Sequence, residues 1–300
     1  MSSLPEDEFG LLAGCSVRSG GLTLVKGSLE LSGLFLVQQY LKLLLQGHNY
    51  AVVLVTTEQV LERHQYAAKK MGVSLAQYQQ SGHLFRVEAP LAAVGGGNAG
   101  LAPSSGGGIS RLQQLIAAVQ QAAKQRAPSA AGVALVIDSL TVLSGMCPAR
   151  EEWTAFLHYC CSGALGAGAG CRDVADHAQP NRQQVPYCFV AGVYGDVPDD
   201  RPWLASLEHR ANAVVSVGPL PGGKMADVDG QVTFTQRFGT PQPVSGPGLG
   251  GPPALADTVA LAGSVSAVAP PQLQLRQSLY FRSTELAVKW MAAVTSQELL

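Results

Sequence analysis

The hydrophobic pattern alternates between short apolar runs and longer segments with helical spacing. Runs such as AVVLV and VALVI contain no polar position, which is typical of strands covered on both sides in a parallel sheet. We predict strands over residues 21–25, 51–55, 83–87, 133–137, 187–193 and 213–217. Helices are predicted over 33–46, 58–71, 110–124, 148–161 and 201–209. Strands and helices in this order predict an α/β fold with a doubly wound, mostly parallel sheet and helices on both faces.

The C-terminal third has a different pattern. An Asp229-Gly230 pair between apolar residues indicates a hairpin turn within 227–234, and segments 279–282 and 286–290 indicate a closing antiparallel strand pair. Glycine, proline and small residues dominate three stretches without periodicity. We therefore predict one domain over residues 1–300, with flexible insertions at 93–108, 163–184 and 240–271.

Composition narrows the class of protein. The chain has 300 residues, of which 47% are hydrophobic and 14% charged, and its formal net charge is −1. This balance argues against a generally basic nucleic-acid surface, although a local basic patch stays open. The acidic segment 1–10 has no signal-peptide pattern, and the longest apolar stretch, 34–45, is too short to span a bilayer. We expect a soluble protein of the cytoplasm, with the nucleus as a second location.

The six cysteines form no CxxC framework. A metal site is the alternative for one group of residues, His158, Cys160, Cys161, Cys171 and His177. Adjacent cysteines on a helix point about 100° apart, and the spacing fits no zinc pattern. We expect ordinary thiols and no metal.

The segment between the first strand and the first helix is where a P-loop would lie. A P-loop reads G-x-x-x-x-G-K-[ST]: its amides cradle phosphates, its lysine neutralises them and its hydroxyl holds Mg²⁺. Here the eight residues are GSLELSGL, from Gly27 to Leu34. Gly27 matches the first glycine, but Ser32 replaces the second, Gly33 the lysine and Leu34 the hydroxyl residue. With Glu30 adding a negative charge, we predict a degenerate loop without bound cofactor.

A second half-motif is the apolar strand 133–137 that ends in Asp138. In an ATPase such an aspartate orients the Mg²⁺ shell, but without a phosphate partner we favour a turn-capping role. Glu58 stands where a water-activating carboxylate would stand, and its alternative role is a helix first-turn acid. Lys26 precedes the loop and is expected to face solvent. His64 is expected at the surface or at an edge of the sheet.

Several stretches together resemble the family of the sixth subunit of the Elongator complex, a RecA-like fold without working Walker motifs. The matching stretches are residues 22–42, 68–75 with the following GHLFRVE, 133–143, 156–160, 229–234 and 283–294. The resemblance does not cover the three insertions. It rests on the order and spacing of these stretches, since none matches a full Walker motif.

The resemblance implies a non-catalytic subunit. Family members form a hetero-hexameric ring of RecA-like domains with the fourth and fifth subunits, bind the catalytic subunits and tRNA, and support modification of wobble uridine at C5. Two alternatives stay open: an active RecA-like ATPase, and a degenerate subunit of another complex, such as a recombinase paralogue. Leu286, Val288 and Trp290 alternate in strand fashion and are interface candidates, with a core role as the alternative for Trp290.

Overall fold

The structure of the chain is a computed structural model. The structure describes residues 20–89, 110–147, 149–163, 185–220, 227–238, 273–283 and 288–292, together with Gly10, Ala13, Gly14, Val17, Gly222, Gly223 and Met225. Apart from Gly163, the three predicted insertions at 93–108, 163–184 and 240–271 lie outside the described residues, as does Leu286.

The described part of the chain forms one nine-stranded sheet. Its strands are β1 (Gly21–Gly27), β2 (Tyr50–Thr56), β3 (Leu84–Glu88), β4 (Gly132–Ile137), β5 (Tyr187–Tyr194), β6 (Ala213–Gly218), β7 (Gly230–Phe238), β8 (Leu273–Ser283) and β9 (Val288–Ala292). Their order is β3-β2-β4-β5-β1-β6-β7-β8-β9. The first six strands pair in parallel, and β6 to β9 pair antiparallel. The predicted fold class, a doubly wound RecA-like sheet with antiparallel C-terminal strands, is confirmed.

Helices cover both faces of this sheet. They are α1 (Leu34–Lys42), α2 (Leu61–Lys70), α3 (Leu75–Gln80), α4 (Arg111–Lys124), α5 (Leu140–Gly145), α6 (Arg150–Cys161) and α7 (Arg201–Arg210). A π-helical turn, Leu43–Gly47, extends α1. A capping box joins Ser110 and Gln113 at the start of α4, as the Ser110 cap predicted. Buried residues of α1 to α3 belong to one core cluster and those of α4 to α7 to a second.

Strand β2 shows why its sequence has no polar face. Val52 and Leu54 pack in the cluster with α1, whereas Val53 and Val55 pack in the cluster with α4. Because successive strand residues point to opposite faces, both faces must be apolar when helices cover both. All seven residues of β2 are buried.

Two local predictions were wrong, and two short helices were not predicted. Helix α2 begins at Leu61, not at residue 58, because the preceding residues form a turn. Helices α3 and α5 have six residues each, too few for a helical period to be recognised. The Asp229-Gly230 pair is not a hairpin tip, since Gly230 opens β7. A Cβ there would lie 2.8 Å from the Gly218 carbonyl oxygen, so this glycine permits close strand approach.

Candidate functional site

The loop between β1 and α1 folds back on itself. The Ser28 amide donates to the Leu31 carbonyl at 3.0 Å, and the Leu31 amide donates to Ser28 Oγ at 3.0 Å. A Cβ on Gly27 would lie 2.5 Å from the Gly33 nitrogen and 2.9 Å from the Leu31 oxygen, so no larger residue fits. The glycine that matches the P-loop therefore serves a tight turn in this chain.

Two further amides of this loop have partners within the chain. The Leu29 amide donates to Asp196 Oδ2 at 2.9 Å, and the Leu34 amide donates to Ser32 Oγ at 3.2 Å. Asp196 follows β5, and the Gly195 amide also donates to the Gly27 carbonyl at 2.9 Å. A carboxylate of the protein thus binds a loop amide of the kind that holds phosphate in a working P-loop. No local sequence pattern marks Asp196 as a partner of this loop, since it lies 167 positions from Leu29.

Asp138 lies at the end of β4 and anchors the turn that follows β2. Its carboxylate accepts hydrogen bonds from the backbone amides of Thr57, Glu58 and Gln59 at 2.8, 3.1 and 3.1 Å, and from the Thr57 hydroxyl. Burial alone would raise the pKa of Asp138, but hydrogen bonds from His64 and from this turn outweigh it and lower the pKa. The Asp138 carboxylate therefore caps a turn, but this turn follows the neighbouring strand β2 and not β4. The turn directly after β4 is capped by Ser139, whose Oγ accepts from the Val142 amide.

His64 is fully buried, and its expected place at the surface is wrong. Its Nε2 lies 3.4 Å from Asp138 Oδ2, and its Nδ1 contacts Gln38 Nε2 of helix α1. Gln38 Oε1 is buried without a hydrogen-bond partner. The histidine therefore links α1, α2 and the end of β4 inside the core.

Glu58 and Tyr194 close the space above Asp138. The Tyr194 hydroxyl donates to Glu58 Oε1 at 2.5 Å. Burial and this carboxylate raise the pKa of Tyr194. The cavity beside them measures about 10 Å³ and is lined by Val25, Ser32, Gly33, Leu34, Glu58, Asp138, Ser139, Gly192, Val193 and Tyr194. One water molecule needs about 10–15 Å³ and ligand pockets measure about 300–1,000 Å³, so this cavity holds no nucleotide as it stands.

Neither Lys26 nor Glu30 lines the cavity. Lys26 does not reach toward the loop but pairs with Glu208 of α7 at 2.7 Å. Glu30 is exposed to solvent, so the expectation of a carboxylate inside the loop is wrong for this residue. The Asp196 carboxylate faces a loop amide, and the carboxylates of Glu58 and Asp138 line the cavity. The site therefore has acidic and no basic side chains lining it among the described residues.

The two described interface candidates, Val288 and Trp290, both pack with the core. Trp290 is buried, with its ring 6.3 Å from both Phe35 and Phe281, so it packs inside the chain rather than standing free to anchor a partner. Its neighbour in the pattern, Val288, is half-buried. The aromatic cluster ties the C-terminal strands to α1, directly after the degenerate loop. For Trp290 the geometry therefore supports a role in the core.

The described part of the chain has neither a metal site nor a membrane-spanning helix. Within them, no group of three His, Cys, Asp or Glu side chains is placed to hold a metal ion. Cys160 is buried, which raises the pKa of its thiol, while Cys171 and His177 lie outside the described residues. In the same part of the chain, no helix has the length and apolar character to cross a membrane.

Two solved structures from Pyrococcus horikoshii align over most of the chain. For a KaiC-like protein the identity is 10%, coverage is 90% of this chain and 89% of that chain, and the TM-score is 0.49. For an uncharacterised protein in complex with an unknown peptide, the identity is 12%, coverage is 91% and 92%, and the TM-score is 0.49.

Sequence comparison is more specific. No curated protein sequence matches the chain significantly. The profile of the family described as Elongation complex protein 6 matches residues 13–245, which is more than half of the chain and includes β1 to β7 and the whole site. The chain therefore belongs to the Elongation complex protein 6 family, the family of an Elongator subunit with a RecA-like fold.

Proposed function

We propose that this chain is a non-catalytic, structural subunit of the Elongator complex. One observation supports this most: the P-loop position is occupied by the chain itself. The Asp196 carboxylate binds a loop amide, the turn at 57–59 surrounds Asp138, and the remaining cavity has room for about one water molecule. A triphosphate would have to displace Glu58 and Tyr194 and would meet carboxylates without a lysine.

The assembly is inferred from family membership. The chain would form a hetero-hexameric ring of RecA-like domains with the fourth and fifth Elongator subunits, bound to the catalytic subunits. Through that ring it would contact tRNA and support modification of wobble uridine at C5, in the cytoplasm and also in the nucleus. The described residues fit a structural role, since the polar groups of the former nucleotide site hold loops together.

Co-expression tests this proposal directly. The chain expressed with the fourth and fifth subunits should elute as one discrete particle whose mass, from light scattering, equals two copies of each subunit. Expressed alone, it should not form this particle. A stable monomer whose mass is unchanged by the other two subunits would contradict the assignment. The control is the variant Asp199→Asn, which changes one exposed residue and should form the same particle.

A further inference from the structure

Three buried polar side chains lie in contact behind the closed site. Gln38 of α1, His64 of α2 and Asp138 at the end of β4 are 6%, 1% and 2% exposed. His64 Nε2 lies 3.4 Å from Asp138 Oδ2, and His64 Nδ1 contacts Gln38 Nε2. Burial of polar groups is costly unless they are hydrogen-bonded, so the positions of the protons between these side chains matter for the fold.

The protonation of the His64 ring follows from its two neighbours. Burial raises the pKa of Asp138, but hydrogen bonds, of which the one from His64 is the strongest, lower it overall, so the carboxylate is ionised and only accepts. His64 Nε2 therefore carries the proton of this hydrogen bond. On the other side, the amide nitrogen of Gln38 only donates, so Nδ1 accepts through its lone pair. The ring is neutral, with its proton on Nε2.

The amide of Gln38 has a second orientation that defines the alternative. Among the described residues its Oε1 has no hydrogen-bond partner, although it is buried. If the amide were turned over, Oε1 would gain a partner only when Nδ1 carried a proton, and the ring would then be an imidazolium. The observed orientation places a donor on Nδ1, which suits the neutral ring.

This chain of contacts joins the elements that line the cavity. Gln38 lies one turn after Leu34, which lines the cavity together with Gly33 at the start of α1. Asp138 lines the cavity from the end of β4 and also holds the turn amides of residues 57–59. The buried hydrogen bonds therefore fix the start of α1 relative to β4 and to the turn after β2.

We propose that Gln38, His64 and Asp138 form a directional hydrogen-bond relay, with His64 as a neutral Nε2–H imidazole, which locks α1 and the turn after β2 around the closed site. Gln38 donates to the ring, the ring donates to the carboxylate, and the carboxylate accepts from the turn. Gln38 and His64 are thus positioning residues. The inference extends the proposed structural role to the way in which the site is kept shut, and its test needs no partner subunit.

Nitrogen NMR of the full chain with 15N-labelled histidine tests the proton positions. The His64 signals are those that disappear in His64→Gln. At neutral pH we expect one protonated nitrogen, Nε2, and one unprotonated nitrogen, Nδ1. Two protonated nitrogens, or a single proton on Nδ1, would overturn the relay, because Nδ1 could then not accept from Gln38.

Hydrogen exchange of the amides of residues 57–59 tests the lock. Glutamine places its amide near the position of Nε2 and asparagine near that of Nδ1, so only His64→Gln keeps a donor for Asp138. His64→Asn should speed exchange of these amides about tenfold or more, whereas His64→Gln should stay within about threefold of wild type. The control His158→Gln, at an exposed residue of α6, should leave exchange unchanged.

The variant Gln38→Leu tests the other arm of the relay. It keeps a side chain of similar size but removes the donor to His64. Exchange of the amides of residues 36–37, which bond to the Gly33 carbonyl at the start of α1, should rise about fivefold or more. Gln39→Leu, at a half-buried residue of the same helix, is the matched control and should change this exchange less than about twofold.

Each outcome decides something. Equal exchange in His64→Gln and His64→Asn, or wild-type exchange in Gln38→Leu, would overturn the lock. If His64→Asn fails to fold while His64→Gln folds, the donor to Asp138 is required and the lock is supported. A chain that passes these tests but forms no ring with the other subunits would contradict the proposed function alone, and a ring-forming chain that fails them would contradict the relay alone.

Discussion

The carboxylate of Asp138 accepts a hydrogen bond from the amide of Thr57 at 2.8 Å, which fastens the end of β4 to the turn after β2. In a working ATPase the aspartate at this position would orient the Mg²⁺ shell. Here its two oxygens are engaged by three backbone amides, a hydroxyl and His64. The residue is a structural anchor, and this relationship carries the account of a site closed by its own chain.

Replacing this anchor should destabilise the fold. Asp138→Asn keeps the shape but loses the charge and one acceptor, which leaves buried amides poorly satisfied. Hydrogen bonds to charged groups contribute about 1.5–3 kcal/mol each, so we expect a loss in this range or above in the free energy of unfolding, measured in urea. The exposed Asp199→Asn should change it by less than about 0.5 kcal/mol. Equal stabilities of the two variants would refute the anchoring role.

The lowered pKa of Asp138 has a consequence for stability in acid. A carboxyl group with a lower pKa in the folded state stabilises the fold above its unfolded pKa, about 3.9, and this contribution is lost as the pH falls through the folded value. The difference in unfolding free energy between wild type and Asp138→Asn should therefore be constant near neutral pH and shrink below about pH 4. A difference that stays the same down to pH 3 would contradict this.

Gly27 should not tolerate a methyl group. In Gly27→Ala the new Cβ would lie 2.5 Å from the Gly33 nitrogen, so the loop has to move. Overpacking of this kind costs about 1–3 kcal/mol, which thermal and urea unfolding would detect. Gly145→Ala is the matched control, since nothing lies within 4 Å of its added Cβ. If both variants are as stable as wild type, the claim that the tight turn requires glycine at position 27 is wrong.

The position of Trp290 predicts a core phenotype. Trp290→Ala removes a buried ring packed against Phe35 and Phe281 and should cost about 3–5 kcal/mol of unfolding free energy. Lys289→Ala, next to it and exposed, should be close to neutral. Circular dichroism during chemical denaturation measures both. If Trp290→Ala leaves the stability unchanged and impairs ring assembly, the core role is wrong and Trp290 is an interface residue.

The sheet could be predicted because its evidence is local. Runs such as 51–55 and 133–137 are apolar on both faces, and that pattern alone requires helices on both sides. Short elements such as α3 and α5 gave no such signal, since six residues do not complete two helical turns.

For the site, the sequence predicted only which P-loop residues are missing. The missing lysine and hydroxyl at Gly33 and Leu34 are visible in the sequence, but the residues that fill the site are not. Asp196 meets Leu29, and His64 meets Asp138, only because β1 lies beside β5 and β2 beside β4. Such contacts depend on strand order, which no local pattern contains. Glu30 is a related case. The sequence shows its charge, but it does not show that the side chain points to solvent.

Calorimetric titration of the purified chain with ATP and Mg²⁺ tests the central claim most directly. The account predicts no binding in the micromolar range, because the loop amides of Ser28, Leu29, Leu31 and Leu34 have partners within the chain and about 10 Å³ remains for a ligand. Asp138→Asn, titrated alongside, should give the same flat trace. Tight binding that requires Mg²⁺ and disappears in Asp138→Asn would show that the site opens to a nucleotide, and would contradict the account.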